Sequence, residues 1–323
     1  MADRTLEIFA AGSRPKDDAV LPFRMAEAGA GGRIVRLSET VDQILSSHDY
    51  PESVSKLLGQ AVTITALLGA SLKIEGKFIL QTKSDGPVDL LVADYRSDGG
   101  LRGYAHFDRE EVERLEEAEQ AASEMLLGKG HLAMTVDQGP DTERYQGIVE
   151  LAGHDLNAAA DVYFRNSEQL PTYVRTAVAR HYQANGGNGS GSWSWRAGGL
   201  IVQQLAGEGG RATRESEPRE PLADEEENWN RVNLLAGTVE DHELLDPELS
   251  SERLLYRLFH EESVRVYRPR DLTVYCQCSE KRIDGILRRF PAEDIEDMIE
   301  GDKIVVTCEF CSRQFSFDPS RFM

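Results

Sequence analysis

The stretch Cys276-Gln277-Cys278, followed by Cys308-Glu309-Phe310-Cys311, contains all four cysteines of the chain, arranged in two short-spaced pairs. The two pairs are separated by 29 residues. A soft dication such as Zn²⁺ prefers four thiolates at the corners of a tetrahedron, and two pairs on two turns supply that set. The same pairs are also close enough in sequence to close two local disulfides. Spacing alone therefore leaves two states open.

The expected cellular compartment favours a metal site over structural disulfides. A chain of 323 residues can bury a core without covalent staples. Met1 to Arg14 has no apolar run behind a basic start, and no stretch reaches the roughly 20 apolar residues that span a bilayer, so we expect a cytoplasmic protein without a membrane partner. In a reducing cytosol, paired cysteines bind metal more often than they form structural disulfides. The sequence thus predicts one Zn²⁺ held by Cys276, Cys278, Cys308 and Cys311, although Cys-x-Cys is rare and the gap exceeds the usual spacing of roughly 15–20 residues.

The net charge limits the choice of partner. It is −20, which weighs against nucleic acid because phosphates require a basic face. Residues 1–210 contain no Gly-x-Ser-x-Gly or His-Glu-x-x-His motif, and their histidines are scattered. The glycine-rich tract at 185–191 lacks the lysine of a phosphate-binding loop and precedes a strand, which indicates a hairpin tip. We therefore expect a protein that is not an enzyme.

An α+β fold is predicted, with residues 1–210 forming a mixed α/β core that contains an extended sheet. The apolar residues that follow Pro51, up to Leu68, recur at helical spacing with almost no charge, which predicts a central buried helix. The other core elements are shorter. We predict strands at Leu6–Phe9 and Ile34–Leu37 with a turn at Gly29–Gly32, further strands from Phe78 to Leu151, a helix at Arg109–Leu127, a helix capped by Asp155, and a strand pair at Pro171–Tyr182 and Trp193–Gln204.

Residues 211–262 are predicted to form a helical linker. Its first part, 211–228, is polar, acidic and contains proline. Two helices, Trp229–Leu244 and Pro247–Phe259, follow with a modest number of apolar residues, so we expect them to be stable only when docked on another part of the chain.

Residues 263–323 are predicted to form a small zinc-binding domain. Its elements are short, and it has few large apolar residues to build a core. The predicted strands are Val264–Tyr267, Thr273–Tyr275, Lys303–Thr307 and Gln314–Phe317, with helices at Ser279–Phe290 and Pro291–Ile299. A structural zinc contributes on the order of 10 kcal/mol to the folding of such a domain, so its loss should unfold it.

The chain resembles a known family in several motifs. The run from Leu258 to Tyr267, Leu-Phe-His-Glu-Glu-Ser-Val-Arg-Val-Tyr, followed by Cys-x-Cys and Cys-x-x-Cys, is similar to the C-terminal signature of the redox-regulated bacterial heat-shock chaperones of about 33 kDa, the 33 kDa chaperonin family. Further matching motifs are Leu80-Gln81 with Asp85-Gly86-Pro87, Arg102-Gly103-Tyr104-Ala105, Tyr145-Gln146-Gly147-Ile148-Val149 and Ser167-Glu168-Gln169-Leu170-Pro171-Thr172. The tracts at 185–191 and 211–228 are longer than the connections usual in that family.

This resemblance implies an ATP-independent holdase chaperone. In the reduced state all four cysteines would bind one Zn²⁺. Oxidation would form the disulfides Cys276–Cys278 and Cys308–Cys311, release the metal, unfold the zinc domain and the linker, and uncover a surface for unfolding client proteins. It also implies a homodimer in the oxidised form.

Two alternatives come from other classes. The first is a constitutive binding protein in which a zinc ribbon is purely structural. The second is a thiol oxidoreductase that uses the Cys308–Cys311 motif, but such motifs usually begin a helix in a βαβ unit, whereas here the motif follows a predicted strand.

Overall fold

The computed structural model describes residues 16–71, 75–139, 142, 144–151, 153–168, 170–184, 191–205 and 223–322. The predicted strand Leu6–Phe9, most of the glycine-rich tract at 185–191 and the first part of the linker lie outside these residues. Within the described ranges, no helix is both long enough and apolar enough to cross a membrane.

The α+β class is confirmed. The helices are α1 Glu39–Ser46, α2 Glu52–Gly69, α3 Arg109–Glu117, α4 Ser123–Leu127, α5 Leu156–Tyr163, α6 Ala223–Ala236, α7 Asp241–Leu245, α8 Ser251–Phe259, α9 Glu280–Leu287 and α10 Ala292–Asp297. The first nine strands are β1 Ala19–Met25, β2 Ala30–Leu37, β3 Lys77–Ser84, β4 Leu90–Arg96, β5 Gly100–His106, β6 Gly130–Asp137, β7 Tyr145–Glu150, β8 Thr172–Ala184 and β9 Gly191–Gln204. The remaining strands are β10 Arg265–Val266, β11 Arg270–Asp271, β12 Thr273–Val274, β13 Ile299–Glu300, β14 Lys303–Thr307 and β15 Gln314–Phe317.

Two large sheets form the body of the protein. Sheet I has the order β10-β1-β2-β9-β8, with β11 also paired to β1, and its long strands are antiparallel. Sheet II has the order β12-β5-β4-β3-β6-β7, and only its β12–β5 pair is parallel. The strands predicted near 264–267 and 273–275 exist in shortened form, and they extend these two sheets.

Helix α2 lies between the sheets, as its apolar pattern predicted. Leu58, Ala61 and Leu67 are almost fully buried in a core shared with side chains from both sheets. Gly199 of β9 allows the close approach, because a Cβ there would lie 2.7 Å from Thr63 Cγ2. This core is the largest apolar cluster of the described residues, and it holds sheets I and II together.

The linker helices, α6 to α8, cover the other face of sheet I. Val232, Leu244, Leu255 and Phe259 are completely buried there and pack with residues of β1, β2 and β9. Phe259 stacks on Phe23 of β1, with ring centroids 5.7 Å apart. The expectation that these helices dock on another part of the chain is thus confirmed.

The C-terminal sheet β13-β14-β15 is small, and helices α9 and α10 pack on it. Its core has only five buried apolar residues, Ile283, Leu287, Ile295, Ile304 and Phe317. A cluster of this size buries too little surface to offset the ordering of its backbone, so this unit requires additional stabilisation.

Several predicted boundaries are wrong for identifiable reasons. The single helix predicted at Arg109–Leu127 is interrupted where Glu119 takes a left-handed conformation (φ 55°) and the Gln120 amide bonds the Leu115 carbonyl, which closes α3. The predicted helix Trp229–Leu244 likewise divides into α6 and α7, and α6 begins earlier, at Ala223. In the predicted turn Gly29–Gly32, only Gly29 (φ 60°) is a turn residue, because strand β2 starts at Ala30.

Candidate metal centre

The second cysteine pair lies on the tight turn between β14 and β15. The Cys308 amide donates to the Arg313 carbonyl at 2.9 Å, and the Ser312 amide donates to the Cys308 carbonyl at 2.8 Å. Ser312 is left-handed, with φ 52°, which reverses the chain directly after Cys311. Residues that follow a strand and reverse at once place both sulfur atoms on one side of the turn.

The first pair lies between β12 and α9. The Ser279 hydroxyl accepts a hydrogen bond from the Arg282 amide and caps α9, so the chain remains extended through Cys278 before the helix starts. Upstream, the Tyr275 amide bonds the Leu101 carbonyl of β5 at 3.0 Å, which fixes the entry to Cys276. Sheet II and a helix cap therefore hold this pair from its two ends.

The structure brings all four predicted cysteines together. Their sulfur atoms lie within 4.8 Å of one another. The shortest Sγ–Sγ separations are 3.2 Å for Cys276–Cys278, 3.4 Å for Cys278–Cys311 and 3.6 Å for Cys276–Cys308. A tetrahedral zinc with bonds of about 2.3 Å requires sulfur atoms about 3.8 Å apart, so a small adjustment of these separations would let the cluster hold one metal ion. All four thiols are free.

The cluster also distributes its protons unequally. Burial tends to raise the pKa of Cys276, but hydrogen bonds from the Cys278 amide and from the other three thiols lower it to about 7. Burial and its thiol neighbours raise the pKa of Cys278. The remaining thiols thus stabilise a thiolate at Cys276. The thiolate is the form of cysteine that binds a metal ion or reacts with an oxidant.

Core residues contact both cysteine loops, and sequence reasoning missed them. The Arg102 guanidinium of β5 lies 3.9 Å from the ring centroid of Phe310, which is inside the Cys-x-x-Cys motif. The same group lies 5.2 Å from the ring of Tyr275, the residue before Cys276. Arg102 Nε donates to the buried carboxylate of Asp94 at 2.7 Å, which orients the guanidinium plane.

A second contact joins the cysteine turn to helix α1. Ser312 Oγ lies 2.9 Å from Nδ1 of His48, just after α1, and His48 stacks on Tyr50 at 4.8 Å. Burial lowers the pKa of His48, while a hydrogen bond with the Phe310 backbone opposes the shift. The aromatic residues beside the cysteines were the available signal for these contacts, since Tyr275 and Phe310 have no role in metal ligation.

Comparison with known proteins agrees with this architecture. Residues 18–318 match the model of a protein family described as Hsp33 protein. The chain belongs to the Hsp33 family. An Hsp33 relative from Caulobacter vibrioides, named 33 kDa chaperonin, is 44% identical over 305 residues, which is 94% of this chain and 95% of the relative. A protein with the same name from Ectopseudomonas mendocina is 35% identical over 298 residues, 92% of this chain and 90% of the relative.

The Hsp33 fold is also found among solved structures. The crystal structure of a 33 kDa chaperonin from Thermotoga maritima, an Hsp33 homologue, aligns with a TM-score of 0.70 at 20% identity and covers 94% of this chain and 96% of that one. At this identity the match concerns the fold. The family is a family of chaperones rather than of enzymes, and the chain shares the fold of the solved homologue.

Proposed function

We propose that this chain is a redox-regulated, ATP-independent holdase whose activity is controlled by the cysteine cluster. In the reduced state, Cys276, Cys278, Cys308 and Cys311 hold one Zn²⁺ as thiolates and the holdase is inactive. The observation that supports this best is the convergence of four free thiols, from two loops far apart in sequence, within 4.8 Å of one another. Four sulfur ligands without histidine or carboxylate favour zinc over hard cations.

Oxidation removes the ligands. At each pair, two thiolates and two protons react with one hydrogen peroxide to give one disulfide and two waters, so each pair loses two electrons. The products are Cys276–Cys278 and Cys308–Cys311, and the ion is released because disulfide sulfur no longer binds it. Neighbouring cysteines convert a sulfenic acid into a disulfide before it over-oxidises. The Cys-x-Cys disulfide closes a strained ring and should form last.

Loss of the metal then affects the rest of the chain. The small C-terminal core has only five buried apolar residues, which is too few to stabilise it without the metal, so it unfolds. The linker helices are joined to this unit through the short strands β10 to β12, and they lose their support. Their undocking uncovers the apolar face of sheet I, where unfolding client proteins bind.

The remaining parts of the proposal rest on the sequence for the division into units and the compartment, and on the family resemblance for the dimer. The chain divides into a core (1–210), a linker (211–262) and a zinc-binding unit (263–323). It functions in the cytoplasm, where thiols are kept reduced, and its oxidised form is a homodimer. Sedimentation of the reduced and oxidised protein tests the last point directly.

The decisive experiment follows zinc release and holdase activity in one sample. Reduced protein is treated with peroxide at mildly elevated temperature, released zinc is read colorimetrically, and light scattering follows an aggregating client. We expect both signals to change together and to be reversed by dithiothreitol with zinc. Equal client protection before and after oxidation would favour the alternative, a constitutive binding protein with a purely structural zinc site.

A further inference from the structure

The face of sheet I beneath the linker is not purely apolar. Three arginines on adjacent strands point to the linker side: Arg36 of β2, Arg196 of β9 and Arg175 of β8. They surround Gly198, where a Cβ would lie 2.9 Å from Leu244 Cβ, so α7 rests directly on the backbone of β9. We call Arg36, Arg175, Arg196 and Gly198 the arginine platform.

Two members of the platform donate hydrogen bonds to main-chain carbonyls of the linker. Arg36 donates to the Glu243 carbonyl at 3.4 Å and to the Asp246 carbonyl. Arg196 Nε donates to the Leu245 carbonyl at 2.9 Å. Three carbonyls at the end of α7 are therefore held by two guanidinium groups. These contacts do not depend on the side chains of the linker.

The two guanidiniums are costly to bury. Arg36 and Arg196 are 1% and 4% exposed, and the carboxylate they share is Asp17, which lies 2.8 Å from Arg196 Nη2 and 3.5 Å from Arg36 Nε. Burial is the largest cause that lowers the pKa of Arg36, and Arg196 adds to it, while the carboxylates of Asp17 and Asp246 oppose it. The carboxylates of Asp17 and of Asp246, a linker residue, balance the charge of Arg36, and the linker carbonyls complete the hydrogen bonds of the two guanidiniums, so the covered state depends on the linker.

We propose that the arginine platform is the part of the client-binding surface that recognises the client main chain, with α7 and residue 246 occupying it in the resting state in the manner of a client. This inference rests on the proposed function, because it requires the linker to undock. The partner is an unfolding protein segment that presents free backbone carbonyls beside a branched apolar side chain, as Leu244 does here. Any unfolded chain supplies such carbonyls, which gives recognition without sequence specificity. The apolar surroundings, including Ala177 and Leu200, accept the side chain.

The test measures binding to the oxidised full-length protein with two probes. One is a fluorescein-labelled peptide of residues 239–250 with blocked ends, and the other is a permanently unfolded, carboxyamidomethylated lactalbumin. Arg36→Ala and Arg196→Ala should each weaken binding of both probes about 10-fold, as expected for losing a hydrogen bond from a charged donor. The peptide should also compete with the lactalbumin. The matched control is Arg180→Ala on β8, whose guanidinium lies 5.8 Å from the rings of Trp193 and Trp195 of the neighbouring strand β9.

The direction of the change in client affinity separates this inference from the simpler one that the arginines only hold the linker. If the arginines served only to hold the linker, their removal would loosen α7 and leave or increase client binding, and that result would overturn the inference. Arg36→Lys and Arg196→Lys keep the charge and lose the planar fork, so they remain informative if the alanine variants fail to fold, and unchanged affinity in them would also refute it. Zinc release is recorded on every sample. Failure of the oxidised wild-type protein to bind either probe would instead refute the proposed function.

Discussion

Replacing Phe259 by alanine should activate the holdase without oxidation. Phe259 is completely buried at the end of α8 and stacks on Phe23 of β1 with ring centroids 5.7 Å apart. It is thus the largest single side chain that attaches the last linker helix to sheet I. The four cysteines are untouched by this change, and we expect the zinc content to remain that of the wild type.

The magnitude follows from burial. Truncating a fully buried phenylalanine costs about 3–5 kcal/mol, through lost apolar transfer and the cavity left behind. Alanine regains about 0.5 kcal/mol through its higher helix propensity, which is too small to compensate. The equilibrium for undocking α8 should therefore shift towards the open form by roughly 100- to 1000-fold. The matched control, Tyr256→Ala, removes an aromatic ring of the same helix that is 51% exposed, and should cost about 0.5 kcal/mol.

Two measurements on the reduced, zinc-loaded variant test this reasoning. Hydrogen exchange should show loss of protection in α6 to α8 and retained protection in α2, and light scattering should show suppressed client aggregation under reducing conditions. Protection of α8 at the wild-type level would refute the packing argument. Exposed linker helices without client protection would refute the link between undocking and activity.

Three further results are expected. Arg231→Met leaves the 6%-exposed carboxylate of Glu262 without the guanidinium that donates to it at 2.6 and 3.1 Å, so urea unfolding should show a loss of about 1–3 kcal/mol, and an unchanged midpoint would contradict this. Arg102→Ala removes the cation above Phe310, a contact worth about 0.5–2 kcal/mol. A chelator should therefore extract zinc several-fold faster from the reduced variant than from the wild type, and equal rates would show that the contact does not stabilise the site. Burial lowers the pKa of His48 below its usual value of about 6.5, so the folded state prefers the neutral ring, and its stability is complete above about pH 6.5 and decreases as the pH falls below that value. Between pH 8 and pH 5 the melting temperature of the wild type should therefore fall relative to that of His48→Gln, and a relative rise at low pH would contradict this sign.

The cysteine cluster was predictable because the four residues are of one type that binds metal, even though the two pairs are far apart in sequence. Two short-spaced pairs with no competing cysteine leave one way to complete a four-sulfur site, and the structure assembles it. Helix α2 was predictable for a similar reason, since an apolar helix without charges has to be buried. In both cases the residue types alone carried the information.

The arginine platform was not predictable, and the contacts of Arg102 had a signal only in their aromatic partners, Tyr275 and Phe310. Arginines in strands usually indicate solvent-facing positions. The sequence near Arg36 does not predict its carbonyl partners, which lie 207 and 210 residues away in the chain. Such partners are set by topology, which determines which face of sheet I the linker covers. The short strands β10 to β12 were assigned from their own apolar pattern, and their partners in β1 and β5 followed only from the three-dimensional structure.

Those short strands explain how a change at the cysteines can reach the linker. From the end of α8 the chain enters β10 and β11 at the edge of sheet I, then β12 at the edge of sheet II, and reaches Cys276 two residues later. Each of these strands has two residues and contributes few backbone hydrogen bonds, so the segment is easily detached from either sheet. In the proposed function, the metal holds the cysteines in the reduced state while Arg102 holds Tyr275, so the segment is fixed at its far end. When that end is released, the short strands separate one after another. Helix α8 is then no longer followed by ordered chain. The burial of two arginines beneath the linker still disfavours the docked state.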